Sequence, residues 1–263
     1  MSSEQITDVR WDDRGGLLTS PLLDAHGLVA GFTTRAHGSM GGSLASIEEQ
    51  AQHRDRLAAA LGFDRVARVR QVHGRTVARA EAPSDAGAWP EADALWTDRP
   101  GVLLGIVAAD CVPVYVVEPE GMLGLAHAGW AGSSLRVTAA LLEAMVEAGA
   151  RPERMVAALG PSVGPCCYTI GEERTALVRE RLGAEADDAL PPGRMDLWVA
   201  NVAQLRAAGV QRIEVSGICT KCGGADIWSY RARGADGAYG TCMAYLGWPM
   251  QPSSARVGEG SRG

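Results

Sequence analysis

Apolar positions along the chain fall into short unbroken runs and a few longer stretches at helical spacing, and no segment is repeated. In Val102 to Val107 and Val114 to Val117 nearly every side chain is apolar. A strand with one wet face alternates polar and apolar residues, so such runs predict strands buried on both faces. Leu28 to Thr34 and Met122 to Ala126 predict two more strands, and Val66 to His73 with Thr76 to Ala80 predict a strand pair turning around Gly74. Ser46 followed three residues later by Glu49 has the form of a capping box, which starts a helix ending near Gly62. After His127, the residues Leu135, Ala139, Leu142 and Val146 share one helical face and predict a single helix stopped by Gly149. Glu172 to Leu182 and Asp196 to Ala208 predict two further helices, the second capped by Asp196 and ended by Gly209. Pro249 to Gly263, rich in Ser, Gly and Pro, predicts a loose tail.

Strands alternating with helices point to an α/β chain, and 263 residues suffice for one large core or two smaller ones. The 25 basic and 31 acidic side chains give a net charge of −6, with no clustering of Lys or Arg among aromatics, which argues against nucleic acid as a partner. The most apolar stretch, Gly101 to Val117, is interrupted by Asp110 and Pro113 and is too short to cross a bilayer, so no membrane partner is expected. The first residues lack a basic segment followed by an apolar one, and the expected location is the cytoplasm. That compartment keeps thiols reduced, so the six cysteines are expected as ligands, nucleophiles or core residues rather than as disulfides.

Three short signatures carry the candidate chemistry: Gln71-Val72-His73-Gly74, Ala109-Asp110-Cys111 and Ala126-His127-Ala128-Gly129-Trp130. Two imidazoles and a thiolate can hold a divalent transition metal, typically zinc, and leave a coordination position open. The three residues are too far apart for a zinc finger, so only a folded core brings them together. Each is expected at a strand terminus, where a rigid sheet aims it. A lone His or Cys at such a place is more often a packed or hydrogen-bonded residue. Cys111 also reads as a nucleophile activated by His73 or His127. Elsewhere, Cys219-Thr220-Lys221-Cys222 has the spacing of a zinc knuckle or a redox pair, with Cys166 and Cys167 as potential partners, but a second C-x-x-C is missing. Cys242 has only a packing explanation.

Further blocks accompany these signatures in fixed order: Ala92-Asp93-Ala94-Leu95-Trp96-Thr97-Asp98, Gly160-Pro161-Ser162-Val163-Gly164-Pro165-Cys166-Cys167-Tyr168, and Cys219-Thr220 leading to Trp228-Ser229-Tyr230-Arg231. From about Phe32 to about Leu246 the chain resembles the YfiH-type family, also called laccase-domain proteins, peptidoglycan editing factors or multifunctional purine nucleoside phosphorylases. The resemblance implies one α/β domain over residues 1–248, an α-β-β-α layered sandwich with mixed sheets, ahead of a disordered tail at 249–263. It implies His73, Cys111 and His127 as zinc ligands at the catalytic centre. The implied activities are phosphorolysis of adenosine, inosine, guanosine and methylthioadenosine, and deamination of adenosine by metal-activated water. Inorganic phosphate is then a partner, and Arg35, Arg70 and Arg231 are the candidate clamp, with Arg35 and Arg231 matching family positions better than Arg70. Gln71 and Asp110 flank ligands and either orient an imidazole or a water, or cap backbone at a turn. The alternatives are a copper-dependent phenol oxidase, a zinc amidase editing a peptidoglycan precursor, and a binding protein whose metal only holds the fold. A monomer is the default expectation for assembly.

The chain also departs from the family pattern. The family's HAGWRG arginine is replaced in Trp130-Ala131-Gly132, and its TGR block appears as Tyr239-Gly240-Thr241. Its R-x-G-G and S-L-N blocks have become Arg35-Ala36-His37-Gly38 and Ser43-Leu44-Ala45, and its double arginine is Arg231-Ala232. These changes leave the implied metal ligands intact while altering the expected phosphate and substrate contacts, which favours zinc-assisted hydrolysis over phosphorolysis. His37 is either a replacement donor or a polar loop residue.

Overall fold

The computed structural model describes residues 7–8, 11–82 and 89–250. Strands β1 (Thr7–Asp8), β2 (Asp12–Asp13), β3 (Leu17–Thr19) and β4 (Val29–Thr33) come first, with the short helix α1 (Pro21–Asp24) between β3 and β4. Helix α2 (Ile47–Ala60) follows, opened by a reciprocal Ser46–Glu49 capping box. Next are β5 (Val66–Ala67), β6 (Val77–Arg79), β7 (Ala94–Thr97) and β8 (Leu103–Ala108). A hairpin of β9 (Val112–Glu118) and β10 (Met122–Ala128) leads into helices α3 (Trp130–Ser134) and α4 (Val137–Glu147). The remainder is β11 (Val156–Leu159), α5 (Glu172–Leu182), α6 (Ala186–Ala189), α7 (Leu197–Ala207), β12 (Arg212–Val215) and β13 (Cys242–Gly247).

The strands form two sheets, ordered β1-β12-β11-β9-β10-β7-β6 and β2-β3-β4-β13-β8-β5. Both are mixed: β11 and β12 are parallel while β9 and β10 are antiparallel, and β5 is parallel to β8 while β13 is antiparallel to it. Side chains of β9 show why its apolar run has no gaps. Val112, Val114 and Val116 pack into one core with residues of α4, α5 and α7, while Tyr115 and Val117 point the other way, into a second core shared with Phe32, Leu104, Ile106 and Leu246 of the other sheet. A third core joins Leu57 and Ala58 of α2 to Leu103, Met243 and Tyr245 on the far face of the second sheet. The layers are therefore helix, sheet, sheet, helix, the mixed α/β sandwich expected from the sequence. The buried Tyr115 hydroxyl spans the sheets and donates to the Gly31 carbonyl at 2.7 Å.

Several local expectations are corrected. The predicted hairpin around Gly74 does not form: β5 joins the second sheet beside β8, and β6 joins the first beside β7. Residues 68–76 instead cross from one sheet to the other. The apolar runs β8 and β9 are likewise in different sheets, so Ala109-Asp110-Cys111 is a second crossing. The single helix predicted after His127 is broken into α3 and α4 at Arg136, whose φ of 64° is left-handed. The side chains of α7 explain the break. Asn201 donates to the Ser133 hydroxyl at 2.8 Å, and Gln204 donates to the Ser133 carbonyl while accepting from the Ala139 N–H, so the polar groups freed there are satisfied. The break also turns the helix: Val137, Leu141 and Met145 are buried, whereas Val146, placed inward by periodicity, is 42% exposed. Of the expected tail, only Pro249 and Met250 fall within the described residues. No helix among the described residues is long and apolar enough to cross a membrane.

Helix α4 lies close over β10 at Gly124, where an added Cβ would come within 2.7 Å of the Met145 sulfur and 3.1 Å of the Leu141 methyls. A branched side chain has no room between them. Gly124→Val is expected to lower unfolding free energy by about 1–3 kcal/mol through overpacking, measured by urea denaturation.

Candidate metal centre

The crossing at residues 68–76 has no partner strand over most of its length, and side chains take up its backbone groups. The Gln71 amide pairs with both backbone groups of Val107 in β8, donating to its carbonyl and accepting from its N–H, each at 2.8 Å. Next along the chain, the N–H groups of Val72, His73 and Gly74 all donate to the Asp93 carboxylate, at 3.1, 2.9 and 2.6 Å. His73 sits in this anion-binding turn with a left-handed φ of 59°. It is therefore a loop residue rather than the strand terminus expected of it, and its ring is exposed. Asp93, just ahead of β7, is fully buried. Its Oδ1 atom also lies 3.0 Å from Nδ1 of His127, the buried penultimate residue of β10. One carboxylate thus fixes two of the three candidate ligands.

Cys111 is held by the second crossing. Asp110, immediately before it, has φ 92°, a strained conformation for a residue with a side chain and one that persists only when its surroundings enforce it. Its Oδ1 accepts from the hydroxyls of Thr220 and Ser229, both at 2.6 Å, and its Oδ2 from the Arg231 N–H at 2.7 Å. Its carbonyl accepts from the Ser162 hydroxyl and the Val163 N–H. The bent backbone leaves Cys111 half-buried beside the two imidazoles.

Donor atoms of His73, Cys111 and His127 lie within 4.8 Å of one another, and the two imidazole rings meet edge to face with centroids 4.9 Å apart. Gly129 keeps the space open, since a Cβ there would fall 2.6 Å from the Cys111 sulfur. Burial pushes the Cys111 thiol up, but the facing His127 and His73 outweigh it and bring the thiol down to about 6. Burial pushes His127 down, and the Cys111 sulfur together with Asp93 reverses this, raising it to about 10. Both shifts run toward a thiolate facing an imidazolium. The donor set fits a transition metal: a thiolate is ready, Asp93 occupies His127 Nδ1, and Nε2 is left to face the sulfur.

The surrounding wall is cationic and aromatic. The Arg231 guanidinium lies 4.7 Å from the Tyr168 ring centre, and that of Arg174 lies 5.0 Å from the Trp130 ring centre. Burial and the Cys111 sulfur push the Tyr168 hydroxyl up to about 12, against the pull of Arg231 and Arg174. The hydroxyl therefore stays protonated as a donor in the field of all three groups. Of the other residues named from the sequence, Arg35 stacks on Trp228 and bonds the Ile227 carbonyl, and exposed Arg70 pairs with Glu91. Neither contact reaches the three ligands. Gln71 and Asp110 spend their polar atoms on backbone and hydroxyl partners, which fixes the loops carrying His73 and Cys111.

Residues 30–248 match the model of the family described as multi-copper polyphenol oxidoreductase laccase. The chain belongs to that family. It is 44% identical over 246 residues to a purine nucleoside phosphorylase of Deinococcus radiodurans, covering 88% of this chain and 94% of the relative. It is also 34% identical over 150 residues to a protein named adenosine deaminase from an unknown prokaryotic organism, covering 54% and 57% of the two chains. The crystal structure of YlmD from Geobacillus stearothermophilus superposes with a TM-score of 0.79 at 33% identity, covering 92% of this chain and all of that one.

In this laccase-domain chain the sequence motifs carry the candidate ligands but not the group that aims them. The sequence signal for Asp93 is a single carboxylate opening the otherwise apolar strand Ala94-Leu95-Trp96. Trp130 and Tyr168 belong to the motif blocks without a role legible in sequence, and Arg174, in the first turn of α5, has no sequence signal at all.

Two measurements test this geometry. Asp93→Asn keeps an oxygen for the three N–H groups but loses the charge behind His127. Its zinc affinity, read by competition with a chromophoric chelator, is expected to fall about 10–100-fold with the fold retained by circular dichroism. In metal-free protein, carbamidomethylation of Cys111 followed by peptide mapping should rise through pH 6 and level off above it, because its thiol is depressed to about 6. A midpoint near the ordinary thiol value would show that the imidazoles do not hold the thiolate.

Proposed function

We propose that this chain is a zinc-dependent enzyme of purine nucleosides, releasing the base by phosphorolysis or deaminating adenosine, with the metal held by His73, Cys111 and His127. The observation that carries this reading is the two-imidazole, one-thiolate cluster with Asp93 behind it and the Arg231 and Arg174 guanidiniums at its wall. The names of the relatives support the substrate class. A zinc ion in this set would supply Lewis acidity at an open coordination position and acidify water near neutral pH.

The chain's own groups have separate tasks. Asp93 accepts the Nδ1 proton of His127 and locks its tautomer, so the ring cannot turn away. Arg231 and Arg174 supply planar, permanently charged donors for phosphate, which must be aligned with the anomeric carbon as the bond to the base breaks. They supply cationic donors in a chain whose Ala131 and Thr241 carry none. Tyr168 offers a hydroxyl donor in the field of both guanidiniums.

Copper is the second reading. The family's description and the thiolate favour it, because imidazole with soft sulfur also binds copper well.

The test is turnover of adenosine, inosine and methylthioadenosine by zinc-loaded protein with and without phosphate, beside oxygen uptake with a phenol by copper-loaded protein. His127→Ala and Cys111→Ala should each lower nucleoside turnover at least about 100-fold. Arg231→Ala and Arg174→Ala should raise KM for phosphate about tenfold while leaving metal content unchanged. Nucleosides left intact in every condition, or full activity in His127→Ala, would overturn the assignment.

A further inference from the structure

A second cluster of soft ligands stands apart from the His–Cys–His centre. Cys166 and Cys167 lie in the loop after β11, and Cys219 and Cys222 in the loop after β12; their four sulfurs lie within 4.8 Å of one another. The Cys166 and Cys222 sulfurs are 3.5 Å apart, and all four thiols are free of disulfides. A tetrahedral zinc with Zn–S bonds of about 2.3 Å sets its sulfurs roughly 3.8 Å apart, so a small contraction closes this cage.

The backbone around Cys219 is already arranged as a metal knuckle. The N–H groups of Gly164, Cys222 and Lys221 converge on the Cys219 sulfur, the first at 3.3 Å. The loop folds back through a bond of 2.7 Å from the Gly223 N–H to the Cys219 carbonyl. Gly223 permits this turn, because a Cβ would lie 2.6 Å from that carbonyl oxygen. On the opposite side, Arg194 donates to the carbonyls of Pro165 and Cys166. A cation beside the cage offsets the negative charge that four thiolates leave on a divalent ion. Neighbouring N–H groups bonded to sulfur do the same.

We propose that Cys166, Cys167, Cys219 and Cys222 bind a second, structural zinc ion as a tetrathiolate centre. Its position gives it a task. The two loops it joins carry Tyr168, next to Cys167, and Thr220, next to Cys219, and Thr220 holds the Asp110 carboxylate that precedes Cys111. The ion ties both to one fixed point, so the wall and the thiol ligand of the first centre keep their spacing. All four ligands leave no open position, which suits a structural role.

The missing second C-x-x-C does not weaken this site. Adjacent cysteines serve as well when a turn presents them, and here Cys167 and Tyr168 both bond back to the Gly164 carbonyl.

The test is metal content by inductively coupled plasma mass spectrometry on intact protein purified under reducing conditions with zinc. Two zinc ions per chain are expected, and His73→Ala with His127→Ala should leave one. Cys166→Ser with Cys222→Ser should also leave one if the variant folds. Independently of that variant, cobalt loaded into the His73→Ala, His127→Ala protein should give intense sulfur-to-cobalt charge-transfer absorption and the visible bands of a tetrahedral tetrathiolate. One zinc in the parent that is lost with the histidines would overturn the proposal. So would a Cys166–Cys222 disulfide in the intact protein, or iron in place of zinc.

Discussion

The Asp93 carboxylate is the constraint on which the rest of the candidate centre depends. It is fully buried, and a buried carboxylate is tolerated only when its oxygens are occupied. Here they take three consecutive backbone N–H groups from the His73 turn and one imidazole from β10. Burial pushes the Asp93 carboxyl up, and these hydrogen bonds and the His127 imidazole together hold it below the ordinary carboxylate range. The charge persists, and it sets the ring of His127 and the path of the His73 turn at once. The backbone of His127 is tied to the same residue, with its N–H on the Asp93 carbonyl at 2.7 Å.

Asp110 applies the same logic at the other crossing, with hydroxyls in place of imidazole. Its left-handed backbone is held by contacts from residues more than a hundred positions later in the chain, Thr220, Ser229 and Arg231. The two carboxylates explain why the centre forms where the chain leaves one sheet for the other. In a strand, backbone groups are taken by neighbours and side chains stand at fixed intervals. In a crossing they are free to be gathered by a buried acid, which turns the chain sharply enough to bring distant donor side chains together.

Much of the fold was legible. Strands buried on both faces show as unbroken apolar runs, and the helices after Ser46 and Asp196 carry their own start signals. The failures share one cause. A run such as Val66 to His73 looks alike whether its neighbour is the next strand or one in another sheet, because backbone hydrogen bonds carry no sequence label. Periodicity likewise placed Val146 inward in α4, since it cannot register that Asn201 and Gln204 of α7 end α3 early and rotate the helix that follows.

The sequence by itself determined the soft donors, His73, Cys111 and His127, the Ser46–Glu49 capping box and the apolar content of the layers, because these are properties of local residue types. Tertiary structure alone decided that Asp93 stands behind His127, that Arg174 and Arg231 both face Tyr168, and that the sulfurs of four cysteines from two distant loops come within 4.8 Å of one another. Those are facts of distance in space. Nothing in the order of residues encodes a separation of a few ångströms between positions that the chain keeps far apart until both sheets have closed on their common core.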